Sequence, residues 1–461
     1  MNPASRPRIG LLFAYDHDGE GYARQAGRVE FDESGFDLFS WPSNWRLGWL
    51  DLKRYAALQA RRARRRGWAG VSSQNEHYGA LIAALVAEQA GLPGTPPEAI
   101  LACQHKLHAR RVLEAVAPEA SIPAAELDAH YGGDIPQGLP YPLFAKPVRA
   151  AFSVLARRVE NHAELVAHTR FSWRELFVIR RLIDPFDRLA RERLGAGVGT
   201  VHRLMLEPPV EAAQYNLDGW VWQGRAHALG VVDAVMHPGT QAFMRWQMPS
   251  ALPAAVQARA LDVAQRFLAA VGFTQGLFNM EFFHDPATDR LSVIEFNPRL
   301  ASQFSDLYLR CTGRDPHAMA IALALGQDPA STPVVAPQGG AAASLVYRAF
   351  DASQAPAPAS PAALAALARA FPDGLLHTFF KQGHALEREL KWLGSHRYAT
   401  LHLHGDDAEH LRQRALAASA LLGWPAPYAD RPETADAPAA MPPVAPWRPA
   451  TASIAPGAAL R

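Results

Sequence analysis

Two short segments near residue 290 place acidic and amide side chains where they could bind a metal ion. The first contains Glu281, and the second contains Glu295 followed by Asn297 and Arg299 at intervals of two residues. The turn between them, 284–289, predicts a hairpin that brings both carboxylates to one place. Two carboxylates and an amide oxygen form an all-oxygen site that suits Mg²⁺, with Mn²⁺ as an alternative. The arginine beside it indicates an anionic, phosphate-bearing substrate.

Side-chain alternation along the second strand supports this interpretation. Glu295 and Asn297 are predicted on one face, together with Val293. Ile294 and Phe296 are predicted on the other face, where they enter a core. A half-buried hairpin with polar residues on its wet face is the competing interpretation of this strand alone. The second carboxylate across the turn favours the metal site.

Composition restricts the class of protein. The 461 residues include 46 basic and 44 acidic side chains, a net charge of +2, which argues against a general nucleic-acid binder. Two cysteines make no disulfide framework. No apolar stretch is long enough to span a bilayer, and no secretion signal is recognised. We therefore expect a cytoplasmic protein with no membrane and no nucleic-acid partner.

The order of predicted elements indicates an α/β protein with several units. Strands alternate with helices over residues 1–102, which predicts an open α/β sheet. Residues 328–339 are rich in Pro, Ala and Gly and are interpreted as a linker. A smaller α+β unit is predicted at 341–424, and the Pro- and Ala-rich tail at 429–461 is expected to be disordered.

Individual elements are predicted as follows. Strands are expected at 8–15, 70–73, 141–147, 203–207 and 215–233, and helices at 78–90, 103–110, 253–271 and 315–326. The segment 184–203 turns from charged to glycine-rich and is interpreted as a flexible loop, with a mobile lid as the alternative.

Two lysines precede the acidic hairpin in the chain. Lys106 lies on a predicted helix, and Lys146 ends a predicted strand, where a lysine can neutralise nucleotide phosphates as a point charge. Between them and the hairpin, an apolar strand ends at Glu207 and is followed by an irregular stretch and Gln214. Each feature alone is a weak signal, but their order is more specific.

That order resembles the ATP-grasp superfamily over roughly residues 65–325, and the 341–424 unit looks like the C-terminal region of its amino-acid-ligase type. The resemblance implies an ATP-grasp nucleotide and metal domain at 103–327, behind an N-terminal pre-ATP-grasp domain. The residues that carry it are Lys106, Lys146 with Pro147 and Ser153, Glu207 with Gln214, Glu281, and Glu295 with Asn297, Pro298 and Arg299.

The resemblance also implies roles for these residues. Lys106 and Lys146 would contact phosphates of ATP. The backbone of Leu206 and the side chain of Glu207 would face adenine, and Gln214 would face ribose. Mg²⁺ would be held by Glu281, Glu295 and Asn297, while Arg299 would stabilise an acyl-phosphate intermediate.

Three features depart from the family pattern, one of which is the absence of the usual glycines after Arg299, where Leu300, Ala301 and Ser302 follow. The loop after Lys146 lacks the usual glycines and contains Arg149, which is expected to supply a substitute cation. Gln214 stands where the family has Glu. Four further side chains are candidates for substrate contacts, with ordinary loop polarity or structural roles as the alternative: Glu76, Asp233, His237 and Arg245.

These features predict an ATP-dependent ligase that joins a small-molecule carboxylate to an amine and releases ADP and phosphate. A non-catalytic ATP-binding sensor or assembly protein and a bicarbonate-using carboxylase are the alternatives. A homodimer is a further expectation, because dimers are common in the resembled family.

Overall fold

The computed structural model describes residues 6–15, 18–36, 46, 49–130, 135–150 and 155–428. Ser153 and the tail 429–461 lie outside these ranges, so the predictions on them stay predictions. Within the described part of the chain, no helix is long and apolar enough to cross a membrane.

Strands and helices alternate in the first half and are followed by antiparallel hairpins. The strands are β1 (Arg8–Leu12), β2 (Glu30–Ser34), β3 (Trp68–Ser72), β4 (Ala125–His130), β5 (Leu143–Pro147), β6 (Arg157–Val159), β7 (Arg203–Glu207), β8 (Ala213–Trp222), β9 (Arg225–Met236), β10 (Phe243–Met248), β11 (Gly276–Asp285), β12 (Arg290–Asn297), β13 (Ala341–Ala349), β14 (Leu375–Thr378) and β15 (His396–Gly405). The helices are α1 (Gly19–Ala23), α2 (Leu52–Arg66), α3 (Gly79–Ala90), α4 (Pro97–Gln104), α5 (Lys106–Val116), α6 (His162–Thr169), α7 (Trp173–Arg193), α8 (Ala254–Ala270), α9 (Ser305–Thr312), α10 (Pro316–Ala324), α11 (Pro361–Ala370), α12 (Gly383–Leu393) and α13 (Ala408–Leu422).

Three sheets organise the described residues. β2, β1 and β3 form a parallel sheet, as predicted for the N-terminal region. β4, β7, β5 and β6 form a small antiparallel sheet. The largest sheet has eight antiparallel strands in the order β12-β11-β8-β9-β10-β13-β15-β14.

The C-terminal segment 341–424 extends the largest sheet. β13 pairs with β10, so the strands of this segment continue the sheet that carries the acidic hairpin. One face of its strands packs on α11 and α13 through a separate apolar core. The predicted linker 328–339 therefore joins two parts of one sheet.

Two sequence predictions on local structure are wrong. The predicted helix 103–110 is divided between α4 and α5, because His105 takes an extended conformation and caps α5 with its side chain. The segment 184–203 is no flexible loop, because its first half is the C-terminal part of α7. Arg193 at the end of α7 pairs with Glu88 and Glu98, and these ion pairs hold the helix on the N-terminal region.

Candidate functional site

The two strands of the acidic hairpin bring the predicted metal residues together. β11 and β12 pair in register with Glu281 opposite Glu295 and Asn279 opposite Asn297. The Nδ2 of Asn297 lies 3.2 Å from Asn279 Oδ1 and 3.4 Å from Glu281 Oε1. Directly opposed residues share one face of an antiparallel sheet, so both carboxylates and the amide face the same space.

A β-bulge in β12 changes the alternation that the sequence predicts. Glu281 is opposite Glu295, but the next residue of β11, Phe282, is opposite Val293, which leaves Ile294 as the extra residue. Val293 therefore faces away from Glu295, and the prediction that they share a face is wrong. The prediction for Phe296 is confirmed, because its ring is buried and stacks on that of Phe267.

Helix α5 supplies two cations to this edge of the sheet. Lys106, its first residue, donates to Glu295 Oε2, and Arg110 follows on the same face of the helix, four residues later. Arg110 donates to the carbonyl oxygens of Val293 (2.7 Å) and Ile294 (3.1 Å) and so holds the bulge in place. Arg110 was not predicted as a site residue, although its i,i+4 spacing from Lys106 was a usable signal.

Lys146 and Arg110 both bind the carboxylate of Glu207. Lys146 Nζ lies 2.7 Å from Glu207 Oε2, and Arg110 Nη2 lies 2.7 Å from Oε1. All three side chains are buried. Burial alone would raise the pKa of Glu207, but the two cations outweigh it and lower that pKa. Burial lowers the pKa of Lys146, which Glu207 partly offsets.

The two carboxylates of the hairpin have opposite electrostatic environments. Burial, followed by the charge of Glu295, raises the pKa of Glu281. Burial acts on Glu295 in the same direction, but the adjacent Lys106 overcomes it and lowers the pKa of Glu295. When two carboxylates share a site, their repulsion raises the pKa of one of them. Because a cation between them would offset this repulsion, the donor set favours an added cation.

Further polar residues of the same face were missed by the sequence analysis. On β8, Asp218 accepts hydrogen bonds from Asn279 Nδ2 (3.1 Å) and from the hydroxyl of Tyr308 (2.8 Å). Burial raises the pKa of Asp218 to about 7. The alternation Asn216-x-Asp218, which repeats Asn279-x-Glu281, was the signal in the sequence.

The predicted nucleotide residues are only partly brought together. Gln214 Nε2 lies 3.0 Å from Glu281 Oε2, so this side chain borders the hairpin carboxylates. Leu206 lies in the middle of the small sheet, in register with Ala125 and Ala145 on either side. Leu206 thus has a strand neighbour on each side, and the expectation that its backbone faces a nucleotide stays a prediction.

Arg149 is buried and contacts the N-terminal region and α7. Its guanidinium donates to the carbonyl oxygens of Glu76 (3.2 Å) and His77. It also lies 4.7 Å from the centre of the Phe186 ring on α7. Arg149 therefore joins α7 to the loop between β3 and α3, a position that the sequence did not indicate.

Arg299 follows β12 and reaches the N-terminal region. Its guanidinium lies 2.6 Å from the carboxylate of Glu76, the residue predicted as a substrate contact. The adjacent Leu300 N donates to Gln74 Oε1 at 2.9 Å. A cavity of about 100 Å³ lies beside Arg299, between β3, α3 and α10. The structure thus places Glu76 with the hairpin residues.

The other predicted substrate residues do not join this group. Asn216 is opposite Glu281 and therefore shares its face of the sheet. Asp233 is opposite Tyr215, the neighbour of Asn216 in the chain, so Asp233 lies on the other face. There it accepts hydrogen bonds from Ser250 and Ala251. Arg245 lies on that same opposite face, 4.2 Å from the ring of Tyr428.

His237 also lies apart from the hairpin. It follows the end of β9, and its ring packs edge-on against Phe350. Burial lowers its pKa. Of the four substrate candidates, Glu76 alone lies beside the hairpin, because sequence proximity to the hinge strands does not determine the face on which a side chain lies.

Comparison with proteins of known sequence gives one informative relative. The chain is 29% identical over 258 residues to carnosine synthase 1 from Gallus gallus, which covers 54% of this chain and 26% of that protein. The match thus spans about a quarter of the length of the chicken protein. No family model matches the sequence.

Solved structures resemble the chain over most of its length. An L-amino acid ligase from Bacillus licheniformis superposes with a TM-score of 0.64 at 15% identity, covering 90% of this chain and 98% of that chain. N5-carboxyaminoimidazole synthetase from Staphylococcus aureus, complexed with ADP, gives 0.57 at 15% identity and covers 91% and 99%. Biotin carboxylase from Campylobacter jejuni gives 0.57 at 13% identity and covers 90% and 91%. The chain therefore has the ATP-grasp fold, as predicted.

Proposed function

We propose that this chain, which has the ATP-grasp fold, is an ATP-dependent ligase that joins a carboxylate to an amine and releases ADP and phosphate. The observation that carries the proposal is the paired hairpin, in which Glu281 and Glu295 oppose each other and Asn297 bridges towards them. The likeness to an L-amino acid ligase and to a carnosine synthase supports this class of reaction.

The donor set of the hairpin fits Mg²⁺. Two carboxylates and an amide oxygen are ligands that hard cations prefer. Among the residues that the structure describes, no group of three or more His, Cys, Asp or Glu side chains is placed to hold a metal. Asn297 would therefore complete the set with Glu281 and Glu295. A bound Mg²⁺ would neutralise phosphate charge.

The cations around the hairpin would then orient the nucleotide phosphates. Lys106 contacts Glu295 and Lys146 contacts Glu207, so both ammonium groups are held in position before a ligand arrives. Preorganised charges lower the cost of stabilising the transferring phosphoryl group. Gln214, beside Glu281, would contact the nucleotide close to the metal.

Arg299 is suited to the acyl-group end of the reaction. It lies at the end of β12, beside the 100 Å³ cavity, and its partner Glu76 comes from the N-terminal region. In the proposed reaction a carboxylate oxygen of the substrate attacks the γ-phosphorus of ATP, and ADP leaves. The amine then attacks the acyl carbon, and phosphate leaves. Arg299 would stabilise the negative charge of the acyl phosphate.

The test is an assay of products with defined substrate pools. The purified protein is incubated with ATP, Mg²⁺ and pools of amino acids and small carboxylates, and ADP, AMP and phosphate are measured. We expect ADP and phosphate that depend on two organic substrates, and loss of at least about 100-fold in Glu295→Ala. The exposed Glu114→Ala is the matched control and should retain activity.

Three outcomes would contradict the proposal. AMP and pyrophosphate as products would exclude an acyl phosphate. ADP release that depends on bicarbonate would indicate a carboxylase. Tight ATP binding in calorimetry without turnover on any pool would indicate a sensor or assembly protein.

A further inference from the structure

A pair of arginines lies on the C-terminal part of the largest sheet, away from the hairpin. Arg348 on β13 is directly opposite Arg397 on β15. The register places both arginines on the face of the sheet that carries Ser344 and Val346. Leu345 lies on the other face, in the core formed with α11 and α13. Two like charges directly opposite each other destabilise a sheet pair, so this arrangement requires an explanation.

The two guanidiniums have different surroundings. Arg348 donates to the carbonyl oxygen of Phe243 (2.9 Å) and to Ser395 Oγ (3.0 Å). Arg397 lies 4.5 Å from the centre of the Phe379 ring. Within the described part of the chain, neither guanidinium forms an ion pair with a carboxylate.

The acid whose charge acts on both arginines is already engaged. Glu389 on α12 contacts Lys381 and accepts from His396 Nδ1 at 3.1 Å. Burial lowers the pKa of Arg397, and Glu389 only partly offsets that effect. Burial also lowers the pKa of Arg348, to about 10. Because Glu389 is paired with Lys381, neither arginine has a carboxylate of its own, in a place where buried charges need one.

We propose that Arg397, oriented on Phe379 and next to Arg348, binds the carboxylate of a small-molecule ligand. Positive charge without a carboxylate partner matches an anionic ligand. A guanidinium fork binds a carboxylate through two parallel hydrogen bonds. A ring that supports the guanidinium face leaves its N–H edge available for such a ligand.

This site is separate from the acidic hairpin. It lies on the same face of the sheet, but β13 is four strands from β11 in the sheet order. At a spacing of about 4.8 Å per strand, that is roughly 20 Å along the sheet. The ligand carboxylate is therefore not the one that would react at Glu281 and Glu295, and the inference does not rest on the proposed function.

The test measures ligand binding and apo stability in the full chain. Wild type, Arg397→Met and the exposed control Arg369→Met are titrated by calorimetry and thermal shift with glycine, β-alanine, 4-aminobutyrate, acetate, methylamine and inorganic phosphate. We expect at least one carboxylate to bind both wild type and Arg369→Met. The same carboxylate should bind Arg397→Met at least tenfold more weakly, while the affinity of this variant for ATP is unchanged.

The melting temperature without ligand separates a binding role from a structural one. A binding arginine is unsatisfied in the free protein, so Arg397→Met should leave this temperature unchanged or raise it. A lower melting temperature of Arg397→Met without ligand would overturn the proposal, as would carboxylate binding equal to that of wild type. Binding of phosphate but of no carboxylate would assign the site to a different anion.

Discussion

At the scale of residues, the hairpin combines charges that control each other's ionisation. Lys106 keeps Glu295 ionised. The burial of Glu281 and the negative charge of Glu295 favour the protonated form of Glu281. Types and spacing of residues were sufficient to predict this pair, because alternation and one short turn determine it. The spacing of Arg110 from Lys106 could have placed it on the same helix face, but its partners could not be predicted, because they come from β7 and from the bulge in β12.

The raised pKa of Glu281 predicts how stability depends on pH. In the metal-free protein, Glu281 makes its full contribution to the free energy of unfolding below the pKa that it has in the unfolded chain, about 4.5. This contribution is lost as pH rises through its raised pKa in the folded protein. Between about pH 5 and 9 the melting temperature of wild type should therefore fall more steeply than that of Glu281→Gln. The lowered pKa of Glu295 acts only at more acidic pH.

Thermal unfolding in EDTA across that pH range is the measurement. Glu114→Gln, at an exposed position, is the matched control and should follow wild type. Parallel curves for wild type and Glu281→Gln would show that Glu281 ionises normally in the folded protein. Addition of Mg²⁺ at the alkaline end should stabilise wild type more than Glu281→Gln, if the proposed metal residues are correct.

At the scale of elements, helices and strands position the site from three directions. α5 covers the β12 edge, the small sheet contributes Lys146 and Glu207, and α10 packs on β3. The periodicity of the sequence predicted α3, α8 and α10 well, because each is an apolar helix with clear ends. It failed at α7, where charged residues alternate with apolar ones around Pro185 and were interpreted as a loop.

The close packing of β3 on α10 predicts an effect of a single methyl group. A Cβ at Gly70 would overlap the carbonyl oxygen of Ala324, which is backbone and cannot turn away. Gly70→Ala should therefore lower the free energy of unfolding by about 1–3 kcal/mol. Gly197→Ala is the matched control, because its Cβ would meet no atom within 4 Å. Equal urea midpoints for the two variants would show that β3 and α10 are less tightly packed.

At the scale of the whole molecule, one sheet unites the acidic hairpin with the C-terminal strands. The sequence predicted an α+β unit at 341–424 but not that β13 would pair with β10, because the pairing joins positions far apart in the chain. The ATP-grasp fold was predictable from the order of a few polar residues. The positions of Asp233 and Arg245 were not, because they depend on registers that only the folded sheet defines.

The central claim is that phosphate passes from ATP to a substrate carboxylate, and its most direct measurement is isotope transfer. Once the substrate pools identify the carboxylate, that compound is prepared with ¹⁸O in its carboxyl group and turned over with ATP and the amine. Mass spectrometry of the released phosphate should show one ¹⁸O atom per turnover, because the acyl-phosphate bridging oxygen leaves with phosphate. Unlabelled phosphate would contradict the acyl-phosphate route.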